Sequence, residues 1–232
     1  MAAGPVLLLH GSGPGTTAAA WDPLIAALSG RFRVIAPDLP GFGSAPRAPI
    51  SEWVGLLAPE EPCFVVGNSA GGALALRLAH AGLATKVVAV GSMGYPMPLP
   101  AGLDELWGSE PTEASARRLL DLLFYDPPGE DAVRVRLEAM RAQPEYRSLF
   151  PAPRQRWVDA LSLTPGELAS ITVPVLLIHS ADDRIVPLAD SALPLLRTLP
   201  DARAHIFGRC GHASPLEYTD EFNRLVLTFL ET

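Results

Sequence analysis

The sequence predicts an α/β fold, a mostly parallel sheet covered by helices on both faces, and three observations carry that prediction. Short β-rich runs alternate with amphipathic helical patterns along most of the 232 residues, the pattern of repeated strand–helix–strand units. The strand-like runs are continuously apolar and do not alternate, as expected of strands buried on both faces. One long stretch has no credible strand, so a helical insertion interrupts the sheet.

Six runs read as strands: "PVLLLHG" (5–11), "FRVIAPD" (32–38), "CFVVGNS" (63–69), "KVVAVGS" (86–92), "VPVLLIHS" (173–180) and "ARAHIFGR" (202–209). Between and after them come helical patterns: "AWDPLIAALSG", "SEWVGLLAP", "AGGALALRLAHAG", "SALPLLRTLP" and "DEFNRLVLTFLE". The insertion holds "EASARRLLDLLFY" and "DAVRVRLEAMRAQ" with prolines between. It is expected to lie over the strand C-termini, where open α/β sheets bind their ligands. Residues 1–92 and 164–232 then form the core and residues 93–163 a helical cap.

A net charge of −7 argues against a nucleic-acid surface, and no apolar stretch is long or clean enough to span a bilayer. The N-terminus has no basic region before its apolar run, so no signal peptide is read. Cys63 and Cys210 lack metal spacing and read as reduced thiols of a cytoplasmic protein. No cofactor and no metal are expected, and the partner is a small-molecule substrate.

Four motifs point to chemistry. "GNSAGG" (67–72) sits between a strand-like and a helix-like run. G-x-S-x-G makes a sharp turn whose small residues let strand and helix pass closely, leaving Ser69 exposed as a nucleophile. "HSADDRIVPL" (179–188) follows the fifth strand and offers Asp182 and Asp183. Asp183 fits a D-x-x-V-P turn and is chosen to orient an imidazole, whereas Asp182 reads as a turn cap. "GRCGHASPLE" (208–217) places His212 on a loop after the last strand. It completes the chain order Ser…Asp…His, while the other four histidines end or interrupt regular elements. "HGSGPG" (10–15) follows the first strand, and N–H groups of Ser12 or Gly13 would join that of Ala70 as oxyanion donors. A dinucleotide site is disfavoured there, because Pro14 interrupts the run and no convincing acidic partner ends the next strand.

With these motifs in order, the chain resembles the α/β-hydrolase superfamily over nearly its whole length. "HGSGPG", "RVIAPDLPGFG", "VGNSAGGALAL", "FPAPRQRWVDAL" and "HIFGRCGH" narrow the resemblance to the meta-cleavage product hydrolases, closest to the 2-hydroxymuconic semialdehyde hydrolases. The cap stretches "FPAPRQRWVDAL" and "DELWGSEP" weigh most, because superfamily members share little there. The resemblance implies an α/β-hydrolase fold and carbon–carbon hydrolysis in aromatic catabolism. The 2-hydroxy-6-oxo-dienoate is ketonised, attacked at its distal carbonyl, and released as a 2-hydroxydienoate and an acid. It further implies that Ser69 attacks or activates water, that His212 shuttles the proton and that Asp183 orients it. Asn68 would hold the polar dienoate end, with Ser12 adding its hydroxyl. Arg141, near the family's cap arginine, would meet the carboxylate, with Arg154 and Arg156 as alternatives. Trp157 and Ala213 complete the implied substrate contacts, although Trp157 equally suits cap packing.

The chain also departs from that pattern. It begins almost at the first parallel strand, without the family's N-terminal hairpin, which predicts an uncovered edge at "FRVIAP". Such an edge favours association, with a second copy of the chain as one partner, unless a helix covers it. The segment between "GFGS" and "CFVVGNS" is short. The family's asparagine after the glycine loop is missing from "AAAW" (18–21), and Ala213 stands where the family has tryptophan. Losing a buried hydrogen-bonding partner costs on the order of 1–3 kcal/mol, so these changes are expected to loosen the grip on a dienoate. Two other functions fit the motifs: a carboxylesterase of broader taste, and a non-catalytic binder with the same fold.

Overall fold

The computed structural model describes residues 4–232. Its first half runs β1 (Val6–Leu9), a 3-10 turn (Ala18–Trp21), α1 (Asp22–Leu28), β2 (Val34–Ile35), a second 3-10 turn (Ile50–Glu52), α2 (Trp53–Leu56), β3 (Cys63–Asn68), α3 (Ala70–His80) and β4 (Ala84–Val90). A strand-free stretch follows, holding α4 (Ala101–Gly108), α5 (Glu113–Leu123), α6 (Glu130–Arg141), a 3-10 turn (Tyr146–Ser148), α7 (Gln155–Leu161) and α8 (Pro165–Ala169). The chain ends with β5 (Val175–Ser180), α9 (Ala192–Thr198), β6 (Ala202–Phe207), α10 (Ser214–Glu217) and α11 (Thr219–Glu231).

The six strands form one parallel sheet in the order β2-β1-β3-β4-β5-β6. Successive side chains of a strand point to opposite faces, and here both faces are dry. Leu7, Leu9, Val65, Val87, Val175 and Leu177 pack with α3, α9 and the inserted helices. Val6, Leu8, Val66, Val88, Leu176 and Ile178 pack with Trp21, Leu24, Phe222 and Val226 of the opposite layer. This double burial explains why the strands read as unbroken apolar runs.

The second strand is shorter than its apolar run suggested. Only Val34 and Ile35 pair with β1, because Pro37 lacks an N–H and the side chain of Asp38 instead holds a loop. Its two oxygens accept from the N–H groups of Ala18 and Ser44. In the described residues β2 is an edge of the sheet, with Val34 half-buried and Ile35 exposed. The helical pattern at 51–59 likewise contracts to a 3-10 turn and the single turn of α2.

Strand order reverses between β1 and β3, so their C-terminal ends open a crevice at the switch point. The loop after β1 carries Ser12 and Gly13, and the turn after β3 carries Ser69. Close approach there demands glycine: a Cβ on Gly71 would collide with the carbonyl oxygens of Leu9 and His10. No helix of the described residues is long and apolar enough to cross a membrane.

Candidate active site

Ser69 stands between β3 and α3 with φ 55° and ψ −116°, a conformation that costs a non-glycine residue about 1–3 kcal/mol. Its own N–H donates to Val90 O at 2.8 Å, while its carbonyl accepts from Gly72 and Ala73 at the start of α3. The side chain therefore stands at the junction of strand and helix and lines a cavity of about 400 Å³. Ala70 opens α3, and its N–H has no hydrogen-bond partner among the described residues. The N–H groups of Ser12 and Gly13 are likewise unpaired among the described residues, and both residues line the cavity.

His212 lines the same cavity from the opposite loop. Its Nδ1 lies 2.7 Å from Asp183 Oδ2, while Asp183 Oδ1 accepts from the N–H groups of Ile185 and Val186. Asp183 is buried, and burial alone would raise its pKa. The neighbouring His212, its hydrogen bond, His179 and the Val186 N–H together outweigh burial and hold the carboxyl below its usual range. A carboxylate on Nδ1 keeps the proton there and leaves Nε2 as the basic nitrogen. The pair rests on Gly91, where a Cβ would stand 3.1 Å from His212 Nδ1 and 3.4 Å from Asp183 Oδ2.

Two further histidines brace the site in the neutral state. His10 Nδ1 donates to Gly11 O and Nε2 accepts from Leu39 N–H. His179 donates through Nε2 to Val186 O. Burial lowers both pKa values below the ordinary 6.5. On acidification the unfolded chain therefore takes up these protons first, so the folded state loses stability as pH falls below 6.5 towards the folded values. Asp183 adds a second loss only below the carboxylate range. Urea unfolding at pH 7.5, 6.5 and 5.5 is expected to show a falling midpoint across the lower interval; a flat midpoint would contradict the assignment of two buried neutral imidazoles.

The inserted helices close the cavity. Leu106, Leu120, Leu123, Phe124 and Ala132 give it apolar walls. Arg136, on α6, brings the one guanidinium to the lining among the described residues. It is half-buried, and the one hydrogen bond of its side chain among the described residues goes to Pro14 O at 3.1 Å, with no carboxylate partner. Burial lowers its pKa, with Tyr146 opposing.

The substrate contacts drawn from the resemblance divide. Asn68 and Ala213 line the cavity, with Asn68 Nδ2 donating to Val90 O and the Ala213 N–H donating to Leu123 O. Arg141, Arg156 and Trp157 do not line it. Arg141 is exposed at the end of α6. Arg156 lies over the Trp157 ring and donates to Pro151 O, as Trp157 Nε1 does. Both line a separate surface cleft with Arg47, because α7 turns that face outward. Arg154 is tied to Asp104 at 2.8 Å and to Phe150 O. Sequence reasoning missed Arg136, which the spacing of buried Val133 and Met140 on α6 would have placed near the inner face. Both cysteines are free and buried.

A model of the alpha/beta hydrolase family matches residues 6–225. The chain is 38% identical over 250 residues to the 2-hydroxy-6-oxo-2,4-heptadienoate hydrolase of Pseudomonas putida strain F1, covering 99% of this chain and 90% of that protein. It is 39% identical over 248 residues to the 2-hydroxymuconate semialdehyde hydrolase of Pseudomonas sp. strain CF600, covering 97% and 86%. Among solved structures, the meta-cleavage product hydrolase of Pseudomonas fluorescens IP01 superposes with a TM-score of 0.90 at 38% identity, covering 98% of this chain and 90% of that one. Descent and architecture agree over almost the full length: the chain belongs to the alpha/beta hydrolase family, within the meta-cleavage product hydrolases.

Proposed function

We propose that this protein hydrolyses a carbon–carbon bond of a 2-hydroxy-6-oxo-dienoate, with Ser69, His212 and Asp183 as its catalytic triad. The observation that carries the reading is Arg136, a half-buried guanidinium without a carboxylate partner, in the same cavity as Ser69 and His212. A cation so placed favours an anionic ligand, and the apolar walls suit the conjugated chain that separates its carboxylate from the reacting carbonyl.

Arg136 and Asn68 would hold the carboxylate and 2-oxygen end while the enol is ketonised. Nε2 of His212 then takes a proton from Ser69, or from a water that Ser69 holds, as the distal carbonyl is attacked. The oxygen that becomes negative would be met by the unpaired N–H groups of Ala70 and of Ser12 or Gly13. Collapse of the tetrahedral centre breaks the carbon–carbon bond, and the dienolate leaves with a proton returned by His212. A water attack releases the acid at once, whereas attack by Ser69 leaves an acyl-enzyme that a His212-activated water then hydrolyses to the acid and free Ser69. Asp183 stabilises the imidazolium and keeps its tautomer. The reading places the protein in the cytoplasm, acting on a small molecule without a cofactor.

The test is to incubate the protein with 2-hydroxymuconic semialdehyde and 2-hydroxy-6-oxo-2,4-heptadienoate and follow the yellow dienolate absorbance, with 4-nitrophenyl acetate in parallel. The expected result is faster specific decay of a dienolate than of the ester. Persistent colour alongside ester cleavage would make the protein a carboxylesterase on this scaffold.

A further inference from the structure

The loop that carries Ser12 and Gly13 closes one turn of its own, Thr16 N–H to Gly13 O at 3.1 Å, and is otherwise held from outside. The inserted segment holds it through four side chains. Trp107 Nε1 donates to Ser12 Oγ at 2.9 Å, and Tyr146 Oη donates to Ser12 O at 2.7 Å. Arg136 donates to Pro14 O, and the side chain of Gln143 accepts from Gly15 N–H at 2.9 Å. One of these bonds differs in kind. The carbonyl oxygen of Ser12 and the N–H of Gly13 belong to the same peptide group; Gly13 lines the cavity, and that N–H has no protein partner among the described residues.

We infer that Tyr146 is a positioning residue for the oxyanion hole, acting through the Ser12–Gly13 peptide; this rests on the triad reading above, with the Gly13 N–H as the donor that joins Ala70. A hydrogen bond accepted by an amide oxygen draws electron density towards it and leaves the N–H of the same amide more positive. Neighbouring bonds in such chains strengthen one another by about 10–30% in a low-dielectric setting. The setting here is dry: Tyr146 is 3% exposed, and its ring packs between Phe42 and Phe150 with centroids 6.2 and 5.9 Å away. Burial drives the phenol's pKa well up, so it remains a donor throughout the working pH range. Its second acceptor, Leu106 O, is more distant at 3.4 Å, which leaves the proton to Ser12. The same bond fixes the tilt of the peptide plane, and thereby the direction of the Gly13 N–H. Preorganised donors of this kind act on the charge that develops in the transition state and little on the planar ground state.

Tyr146→Phe removes the hydroxyl and keeps the ring between its two aromatic neighbours. Three quantities are to be compared with the parent: steady-state kinetics, inhibition by phenylboronic acid, which forms a tetrahedral adduct on an active serine, and binding of sorbate, a planar dienoate with no electrophilic carbonyl at its far end. The expected result is a kcat lower by about five- to tenfold, boronic acid binding weakened by a similar factor, and sorbate affinity and KM within about twofold of the parent. Unchanged kcat and boronic acid affinity would overturn the inference, as would equal weakening of sorbate and boronic acid, which would reduce Tyr146 to packing. Ser69→Ala separates this from the parent reading. If that variant still turns over and still binds phenylboronic acid as the parent does, the triad assignment fails and the inference fails with it. If the parent cleaves only aryl esters, the same comparison is made on the ester, because the oxyanion is common to both reactions.

Discussion

Ser69→Ala is expected to lower dienolate hydrolysis on the order of 10⁴- to 10⁶-fold, because the triad acts as a unit and what remains is binding and oxyanion stabilisation. The loss is expected in kcat, with KM little changed and a thermal midpoint close to the parent's. Alanine at φ 55° bears the same backbone strain as serine, so removing the hydroxyl does not relax the turn. Ser69→Gly should be equally inactive yet more stable by about 1–3 kcal/mol, since glycine accepts that conformation freely. Asp183→Asn completes the series. An asparagine oxygen can still accept from Ile185 and Val186, which turns its NH₂ towards His212 Nδ1. The proton then moves to Nε2, where a base needs a lone pair, and kcat should fall by about 10⁴. Turnover by Ser69→Ala near the parent rate would remove the serine from the mechanism.

Arg136→Met should separate substrates by charge. For a dienoate, kcat/KM is expected to fall by about 30- to 1000-fold, corresponding to about 2–4 kcal/mol for a desolvated charge-assisted contact. A neutral aryl ester makes no such contact and should be cleaved at a rate close to the parent's. The unliganded variant is expected to unfold no earlier than the parent, because a half-buried cation without a carboxylate partner is costly to keep. Equal losses on the acid and the neutral ester would show that Arg136 holds the Pro14 loop and does not meet the carboxylate. The companion variant Arg141→Met alters an exposed side chain and should leave both substrates unaffected.

The two arginines show where sequence reasoning reached its limit. The strand–helix alternation, the doubly buried strands and the strand-free insertion were all legible, because each rests on local periodicity. So was the chain order of serine, aspartate and histidine, because each lies beside a strand end whose register the sheet determines. Ser69 follows β3, Asp183 follows β5 and His212 follows β6, and parallel pairing brings all three ends to one rim of the sheet. The length of β2 was not legible. The apolar run continues past Ile35, but the Asp38 carboxylate accepts from the loop N–H groups of Ala18, 20 positions away, and of nearby Ser44.

What the insertion contributes lay further beyond reach. Arg136 and Arg141 sit on one helix, five residues apart, and five residues turn an α-helix by about 140° relative to the starting face. Which of the two meets the cavity depends on how α6 is rotated against the core, and the buried positions Val133 and Met140 decide that rotation. Tyr146 reads as an ordinary core aromatic until its hydroxyl is seen on Ser12 O, 134 positions away in the chain. The sequence by itself determined the sheet, the sharp turn at Ser69 and the placement of Ser69, Asp183 and His212 after successive strands, since strand pairing and tight turns are properties of short segments. Only the tertiary structure decided which side chains of the inserted helices face the cavity beside Ser69, because that depends on the packing angles of helices whose neighbours are remote in sequence.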